Sequence, residues 1–143
     1  MRKPHRQNVI SAILIVIFIF ITIGFAAALA VVFAPVKMTM EEDAYTLSFL
    51  FYSESADYAD VEVALLDESY HEDAKRVHNY GGISKELGTY KNDAYGEHVR
   101  MTYSENVHNF ILLKRSDGSV TVFNLKTQEK TEALYAELVE KLG

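Results

Sequence analysis

The chain has 143 residues, 49% of them apolar, which is typical of a folded protein with room for one domain rather than of a disordered chain. The absence of cysteine excludes disulfides, thiolate catalysis and Cys-ligated zinc or iron–sulfur sites. The net charge is −6, and residues 35–143 carry 11 Lys and Arg against 20 Asp and Glu, a charge of 11 − 20 = −9, which argues against nucleic acid as a partner.

The first predicted element is an uncharged run at residues 9–34, made almost entirely of Ile, Val, Leu, Phe and Ala. A helix needs about 20 such residues to cross the hydrocarbon core of a bilayer, and it pairs all of its own backbone groups there. We therefore expect residues 9–34 to be a transmembrane signal anchor in contact with lipid.

A signal peptide that is cleaved after export is the alternative interpretation of this segment. Ala28-Leu29-Ala30 has the small-x-small form of a signal peptidase site, so cleavage would follow Ala30. The apolar region of a signal peptide usually has about 7–15 residues, and the longer run here favours a retained anchor.

The charges on either side of the run predict its orientation. Three basic residues precede the run, at Arg2, Lys3 and Arg6. After it comes the single basic residue Lys37, whose charge is offset by the acidic residues 41–43. Because basic residues stay on the cytoplasmic side, we expect residues 1–8 to be a cytoplasmic tail of a cell-membrane protein and the C-terminal domain to be extracytoplasmic.

After a predicted linker at residues 35–43, apolar and polar residues alternate. In the segment AYTLSFLFY the residues Tyr45, Leu47, Phe49 and Phe51 share one face of a predicted strand. We expect all four side chains to lie in the core of a β-domain that covers residues 44–143.

Further strands are predicted along the domain. The period of two recurs in DVEVALLD and GEHVRMTY, whereas VHNFILLKR is apolar on both faces, as in a central strand. His98 and His108 lie on these strands, where we expect surface or cross-strand residues rather than catalytic bases. The dipeptide Asp117-Gly118 predicts a turn that leads into the strand VTVFNL.

The C-terminus changes to a helical period, with Thr127 as the predicted N-cap of a helix over residues 128–142. The apolar stripe consists of Leu134, Tyr135, Leu138, Val139 and Leu142. Short strands followed by one helix predict two packed antiparallel sheets, or a partly open barrel, capped by a C-terminal α-helix.

The order DVEVALLDE, RVHNYGG, LGTYKNDAYGEHVRMTY, FILLKRSDGSVTVFNL and KTEALYAELVEKL resembles the bacterial PH-like domain family. The resemblance covers about residues 44–142 and implies a fold like that of pleckstrin-homology domains, in a family often found behind membrane-spanning segments. Its most specific parts are the turn at residues 76–82, Gly88-x-Tyr90, Tyr95-Gly96, and the strand, turn and strand that run into the helix. These motifs specify a fold rather than a catalytic activity.

Four of the seven glycines lie in the stretch RVHNYGGISKELGTYKNDAYGE, residues 76–97. A phosphate-binding P-loop needs a second Gly five residues after the first, but Glu86 and Leu87 stand at the two positions concerned, and no Gly-x-Gly occurs. We therefore predict no nucleotide site, and we expect turns that specify the fold at Gly81, Gly82, Gly88, Gly96, Asp117 and Gly118.

The same stretch contains three tyrosines beside mixed charges, at positions 80, 90 and 95. Tyrosine is favoured at recognition surfaces because it provides contact area with few rotatable bonds to restrict. We predict an interaction patch formed by exposed Tyr80, Tyr90 and Tyr95, which would bind a protein partner in the membrane or cell envelope.

The resemblance also bears on lipid ligands, because many pleckstrin-homology domains hold phosphoinositides with basic loops. The corresponding first turn here is SESADYAD, which carries Glu54, Asp57 and Asp60 and no cation. This departure, together with an extracytoplasmic location, argues against phosphoinositide binding.

The sequence predicts no catalytic residue, cofactor site or metal motif, since no serine lies in Gly-x-Ser-x-Gly or Ser-x-x-Lys. Our main hypothesis is a membrane-anchored, non-enzymatic module with a protein-interaction or scaffold role. The alternative is an extracytoplasmic domain that senses a ligand or a divalent cation through a predicted acidic loop at residues 67–78. That loop contains carboxylates and imidazoles, but its spacing matches neither a calcium loop nor His-Glu-x-x-His.

Overall fold

A computed structural model describes residues 4–79 and 84–143 of the chain, which divides into two units, residues 1–34 and Pro35–Gly143. The first unit contains helix α1 (Pro4–Phe33). Its part from residue 6 to residue 33 contains an 18-residue window with a mean hydropathy of 3.0 and is long and apolar enough to cross a membrane. The predicted helix at residues 9–34 is confirmed as a helix, and its place in a membrane stays a prediction.

The second unit begins with a three-stranded antiparallel sheet. Its strands are β1 (Lys37–Met40), β2 (Ala44–Phe49) and β3 (Tyr52–Asp57), in that order. Because β1 pairs with β2 in register, residues 37–40 belong to the domain, and the prediction of a linker over residues 35–43 is wrong at these positions.

A six-stranded sheet follows a 3₁₀ helix at Tyr58–Asp60. Its strands are β4 (Val61–Asp67), β5 (Lys75–Asn79), β6 (Lys85–Asn92), β7 (Gly96–Tyr103), β8 (Asn109–Arg115) and β9 (Val120–Phe123). Their spatial order is β4-β8-β9-β7-β6-β5. A short helix, α2 (Ser69–Asp73), connects β4 to β5, and helix α3 (Gln128–Leu142) ends the chain. The predicted layout of two sheets and a C-terminal helix is confirmed, and the sheets do not close into a barrel.

The prediction of purely antiparallel sheets is wrong for one pair, since β7 and β9 run parallel, with Val99 opposite Thr121 and Met101 opposite Phe123. The turn at Gly118 folds β9 back along β8, into the space between β8 and β7. The alternation of apolar residues is the same in parallel and antiparallel pairs, so the sequence carried no signal of this placement.

The first predicted strand is interrupted by a two-residue turn at Leu50 and Phe51. Tyr45, Leu47 and Phe49 lie in the core as predicted, but Phe51 is 87% exposed. Leu50 has a φ of 52°, which is rare for a bulky residue. Because such turns usually contain Gly, Asn or Asp, the residues Leu50 and Phe51 did not indicate a turn. The segment SESADYAD is consequently strand β3 and the 3₁₀ helix rather than the first turn.

Both faces of the six-stranded sheet are covered. The three-stranded sheet and α3 pack on one face, where the core includes Leu47, Met101, Ile111 and Leu138. Helix α2 packs on the other face, where Tyr70 meets a second cluster at Phe110, Leu112, Val120 and Val122. Alternate residues of β8 supply the two cores, as its apolar pattern predicted.

Helix α3 begins where the sequence predicted, and the hydroxyl of Thr127 accepts a hydrogen bond of 3.2 Å from the amide of Lys130. A buried amide network beneath this end was not predicted. The side-chain nitrogen of Asn106 donates to the Thr131 hydroxyl at 3.1 Å, and that of Asn109 donates to the Gln128 carbonyl at 3.2 Å. These bonds fix the start of α3 against the end of β7 and the start of β8.

A salt bridge joins the two sheets inside the domain. Arg115 Nη1 on β8 lies 2.6 Å from Glu54 Oε1 on β3, and both side chains are largely buried. The other carboxylate oxygen accepts hydrogen bonds of 2.6 Å from Tyr52 and from Thr121. Burial, followed by the charge of Glu54, raises the pKa of Tyr45 to about 12.

We expect Arg115→Met to lower the free energy of unfolding by about 3–5 kcal/mol, because it leaves the carboxylate of Glu54 buried without its counter-charge. Denaturant unfolding of the full chain in detergent, followed by near-ultraviolet circular dichroism, measures the change. Lys114→Met, at the exposed neighbouring position, is the control, and Glu54→Gln added to Arg115→Met should restore part of the loss. Equal stability of the two single variants would contradict this role.

Gly88 lies in the interior of β6, so its assignment to a turn is wrong. A Cβ atom at this position would overlap the backbone carbonyl oxygen of His78 on β5, which passes unusually close. Gly118 lies in a turn, as predicted, with a φ of 86°, whereas Gly96, with a φ of 65°, directly follows a turn as the first residue of β7.

We expect Gly88→Ala to lower the free energy of unfolding by about 1–3 kcal/mol, since β5 must move to accommodate the methyl group. The same denaturant experiment measures it. Gly24→Ala is the matched control, because nothing lies within 4 Å of the Cβ that it adds on α1. If both variants unfold at the wild-type midpoint, the close approach has no energetic consequence.

Candidate functional site

The structure separates the three tyrosines of the predicted patch. Tyr80 lies outside the described residues, as do Gly81 and Gly82. Tyr90 on β6 is 3% exposed, so the prediction that it is a surface contact residue is wrong. Tyr95 is half-buried in the turn before β7, where its ring meets the edge of His98 at 6.1 Å between centroids.

The predicted acidic loop is also folded. Asp67 accepts hydrogen bonds from the amide and hydroxyl of Ser69, and helix α2 and strand β5 follow. Within residues 4–79 and 84–143, no group of three or more His, Asp or Glu side chains is arranged to hold a metal ion. This segment therefore builds structure instead of forming a solvated loop.

Beneath α2 lies a buried cation that the sequence analysis missed. Arg100 on β7 is 2% exposed, and its guanidinium carbon lies 4.3 Å from the centroid of the Tyr90 ring. Its nitrogens contact Glu86 at 3.1 Å, Thr102 at 3.0 Å and His71 Nδ1 at 2.7 Å. The alternation in GEHVRMTY placed Arg100 on a polar face, and nothing in that pattern indicated that a helix covers it.

The surroundings of two histidines in this cluster favour the neutral imidazole. Arg100 can only donate, so Nδ1 of His71 must accept, and burial and the charge of Arg100 lower the pKa of His71. Nδ1 of His98 donates to the carbonyl of Gly96 at 2.9 Å, and in the neutral ring Nε2 accepts from Tyr70 at 2.6 Å. Burial lowers the pKa of His98 as well.

These contacts correct the prediction for the histidines. His98 lies opposite Tyr90 across the β6–β7 pair, as a cross-strand residue would, but it is buried rather than on the surface, and His108 lies in the connection before β8 rather than on a strand. Every buried side-chain nitrogen or oxygen in the described part of the chain has a hydrogen-bond partner. The cluster of Tyr70, His71, His98 and Arg100 therefore holds α2 on the sheet.

We expect the domain to lose stability as the pH falls below about 6.5, the ordinary pKa of histidine. The folded domain keeps His71 and His98 neutral with lowered pKa values, so the unfolded chain binds more protons in this range, and acid favours unfolding. Thermal unfolding of the full chain in detergent, at about pH 7.5 and about pH 5.5, measures the loss.

His71→Gln retains an acceptor for Arg100 but does not titrate, so its stability should depend less on pH than that of the wild type. His78→Gln changes an exposed histidine on β5 and is the control that should keep the wild-type dependence. The same pH dependence in all three proteins would show that the cluster is not its source.

Two of the hollows lined by described residues border strand β6. One of about 630 Å³ has mostly apolar walls, formed by Phe51, Tyr52, Leu87, Gly88, Thr89 and Val99. The other, of about 710 Å³, has mixed charges and is lined by Glu72, Asp73, Lys75, Val77, Lys91, Asn92, Asp93 and Ala94. Among its described lining residues the apolar hollow has no acid or base other than Tyr52, and the charged hollow lies along strand β5.

Strand β5 forms one edge of the six-stranded sheet, and all five of its side chains are exposed. Its register places Lys75 directly opposite Lys91 on β6. Like charges at such positions repel each other, and neither lysine forms an ion pair with another described residue. Lys75 and Lys91 therefore form a pair of like charges beside this edge, and neither is paired with a described carboxylate.

No protein-family model, curated protein or solved structure matches this chain.

Proposed function

We propose that this protein is a single-pass membrane-anchored, non-enzymatic module that binds a partner protein along strand β5. Its N-terminus would be cytoplasmic and its domain extracytoplasmic, with a PH-like fold. The two-sheet layout with a C-terminal helix supports that fold, and the parallel pair of β7 and β9 departs from it. The observation that carries the proposal is the fully exposed edge strand with its opposed lysines.

An exposed edge strand can accept a further strand, because an extended peptide can pair with backbone groups that point away from the sheet. Two features restrict which peptide could pair. The register of β5 against β6 is irregular between Arg76 and His78, and Lys75 lies at the start of the strand. Irregular registers and lysines discourage indiscriminate pairing, so the edge favours a specific partner.

The charges indicate the chemistry of that partner. An acidic side chain placed between Lys75 and Lys91 would relieve their repulsion, and the neighbouring hollow has room for it. Asp73 and Asp93 line the same hollow and would reject a uniformly acidic peptide. We therefore expect an extended segment with a single acidic residue near the start of β5.

The apolar hollow and the buried cluster support the non-enzymatic role in this proposal. A catalytic site needs polar groups that converge on a concave pocket. The described walls of the apolar hollow lack such groups, and His71, His98 and Arg100 are occupied in holding α2. Cation sensing through residues 67–78 gains no support from the helix and strand that these residues form.

We expect a photo-crosslinking residue at position 77, where Val77 is 41% exposed, to capture one discrete protein in native membranes. Lys75→Glu together with Lys91→Glu should reduce this capture about tenfold, equivalent to about 1.4 kcal/mol, because an acidic partner would then be repelled.

A photo-crosslinker at Lys130 on α3, remote from β5 in the sequence and exposed, provides the control position. Lys130→Glu is the matched charge reversal and should leave capture at position 77 unchanged. The same product from both positions, or capture that survives reversal of both lysines, would rule out binding at this edge.

A further inference from the structure

The tip of the β2–β3 hairpin presents an aromatic side chain to the surroundings. Phe51 is 87% exposed, whereas Leu50 beside it packs against the core. Leu50 has a φ of 52°, a left-handed conformation that is strained for a branched side chain. The turn therefore holds Leu50 inward at some energetic cost and keeps Phe51 outward.

This tip lies at the end of the domain where the chain enters. Lys37, the first residue of β1, pairs with Ser48, so the start of β1 and the hairpin tip occupy the same end of the sheet. The Val36 amide donates to the hydroxyl of Tyr103 at 3.0 Å, which anchors the entry point there. Residues 34–36 alone connect the end of α1 to β1.

Charge is distributed unevenly along the three-stranded sheet. The end away from the tip carries the exposed acidic residues Glu41, Glu42 and Asp43, with Asp57 on the adjacent strand. At the tip end the exposed charged residue of this sheet is Lys37. An apolar and cationic end suits a lipid headgroup region, and an acidic end does not.

We propose that the Leu50–Phe51 tip contacts the lipid bilayer, with the Phe51 ring inserted at the level of the headgroups. The inference rests on the proposed anchoring of α1 in the membrane. Aromatic rings are favoured at this depth, where their apolar surface leaves water. Phe51 thus gives the domain a second attachment, which restricts its orientation.

The absence of tryptophan allows a direct test, since each variant then carries a single tryptophan reporter. The full chain with Phe51→Trp is reconstituted at low density in phosphatidylcholine vesicles, with and without bromine on the acyl chains. Interfacial side chains lie roughly 5–10 Å into the boundary between headgroups and chains, so we expect bromine to quench about half of the emission. Asp57→Trp, at the other end of β3, should not be quenched.

Phe20→Trp, in the middle of α1, shows whether α1 itself lies in the bilayer, so it distinguishes failure of the lipid contact at Phe51 from failure of the proposed anchor. Quenching of Phe20→Trp without quenching of Phe51→Trp would overturn the lipid contact and leave the anchor intact. No quenching of Phe20→Trp would overturn both proposals. Phe51→Trp emission that is shielded from an aqueous quencher but insensitive to bromine would place the ring against protein, such as a second copy of the chain, and would also overturn the lipid contact.

Discussion

The arrangement of the domain depends on one buried salt bridge between its two sheets. Glu54 on β3 and Arg115 on β8 meet within the interface, and Thr121 and Tyr52 satisfy the second carboxylate oxygen. A carboxylate removed from water is tolerated only where its acceptor sites are occupied, so the β2–β3 hairpin has one favourable position against the larger sheet. That position buries the apolar face of β2 and leaves Phe51 beyond the edge of the core.

The other face of the six-stranded sheet depends on a second polar cluster. Helix α2 has five residues and is too short to be stable without tertiary contacts. Tyr70 and His71 attach it to the sheet through His98 and Arg100, with both imidazoles neutral. Since α2 leads directly into β5, the same contacts determine where the exposed edge strand begins.

The two proposed surfaces occupy different parts of one fold. The hairpin tip lies at the end where the chain enters, and the charged hollow lies by the turn between β6 and β7, at the other end of these strands. The proposed lipid contact lies near the middle of β6, whereas the charged hollow lies at the start of β5, where Lys75 faces Lys91. Both surfaces are built from exposed side chains whose placement is fixed by buried charges elsewhere.

The sequence alone determined the apolar helix, the turn at Gly118 and helix α3 with its cap at Thr127. The signal for each of these elements lies within its own residues. Only the tertiary structure decided which faces are covered and which strands are neighbours, because alternation marks two faces without showing what packs on each. Arg100 and Tyr90 illustrate this, since both had surface-like patterns and lie buried together under α2. The turn at Leu50 was likewise decided by packing, which holds a residue of low turn propensity in a strained conformation.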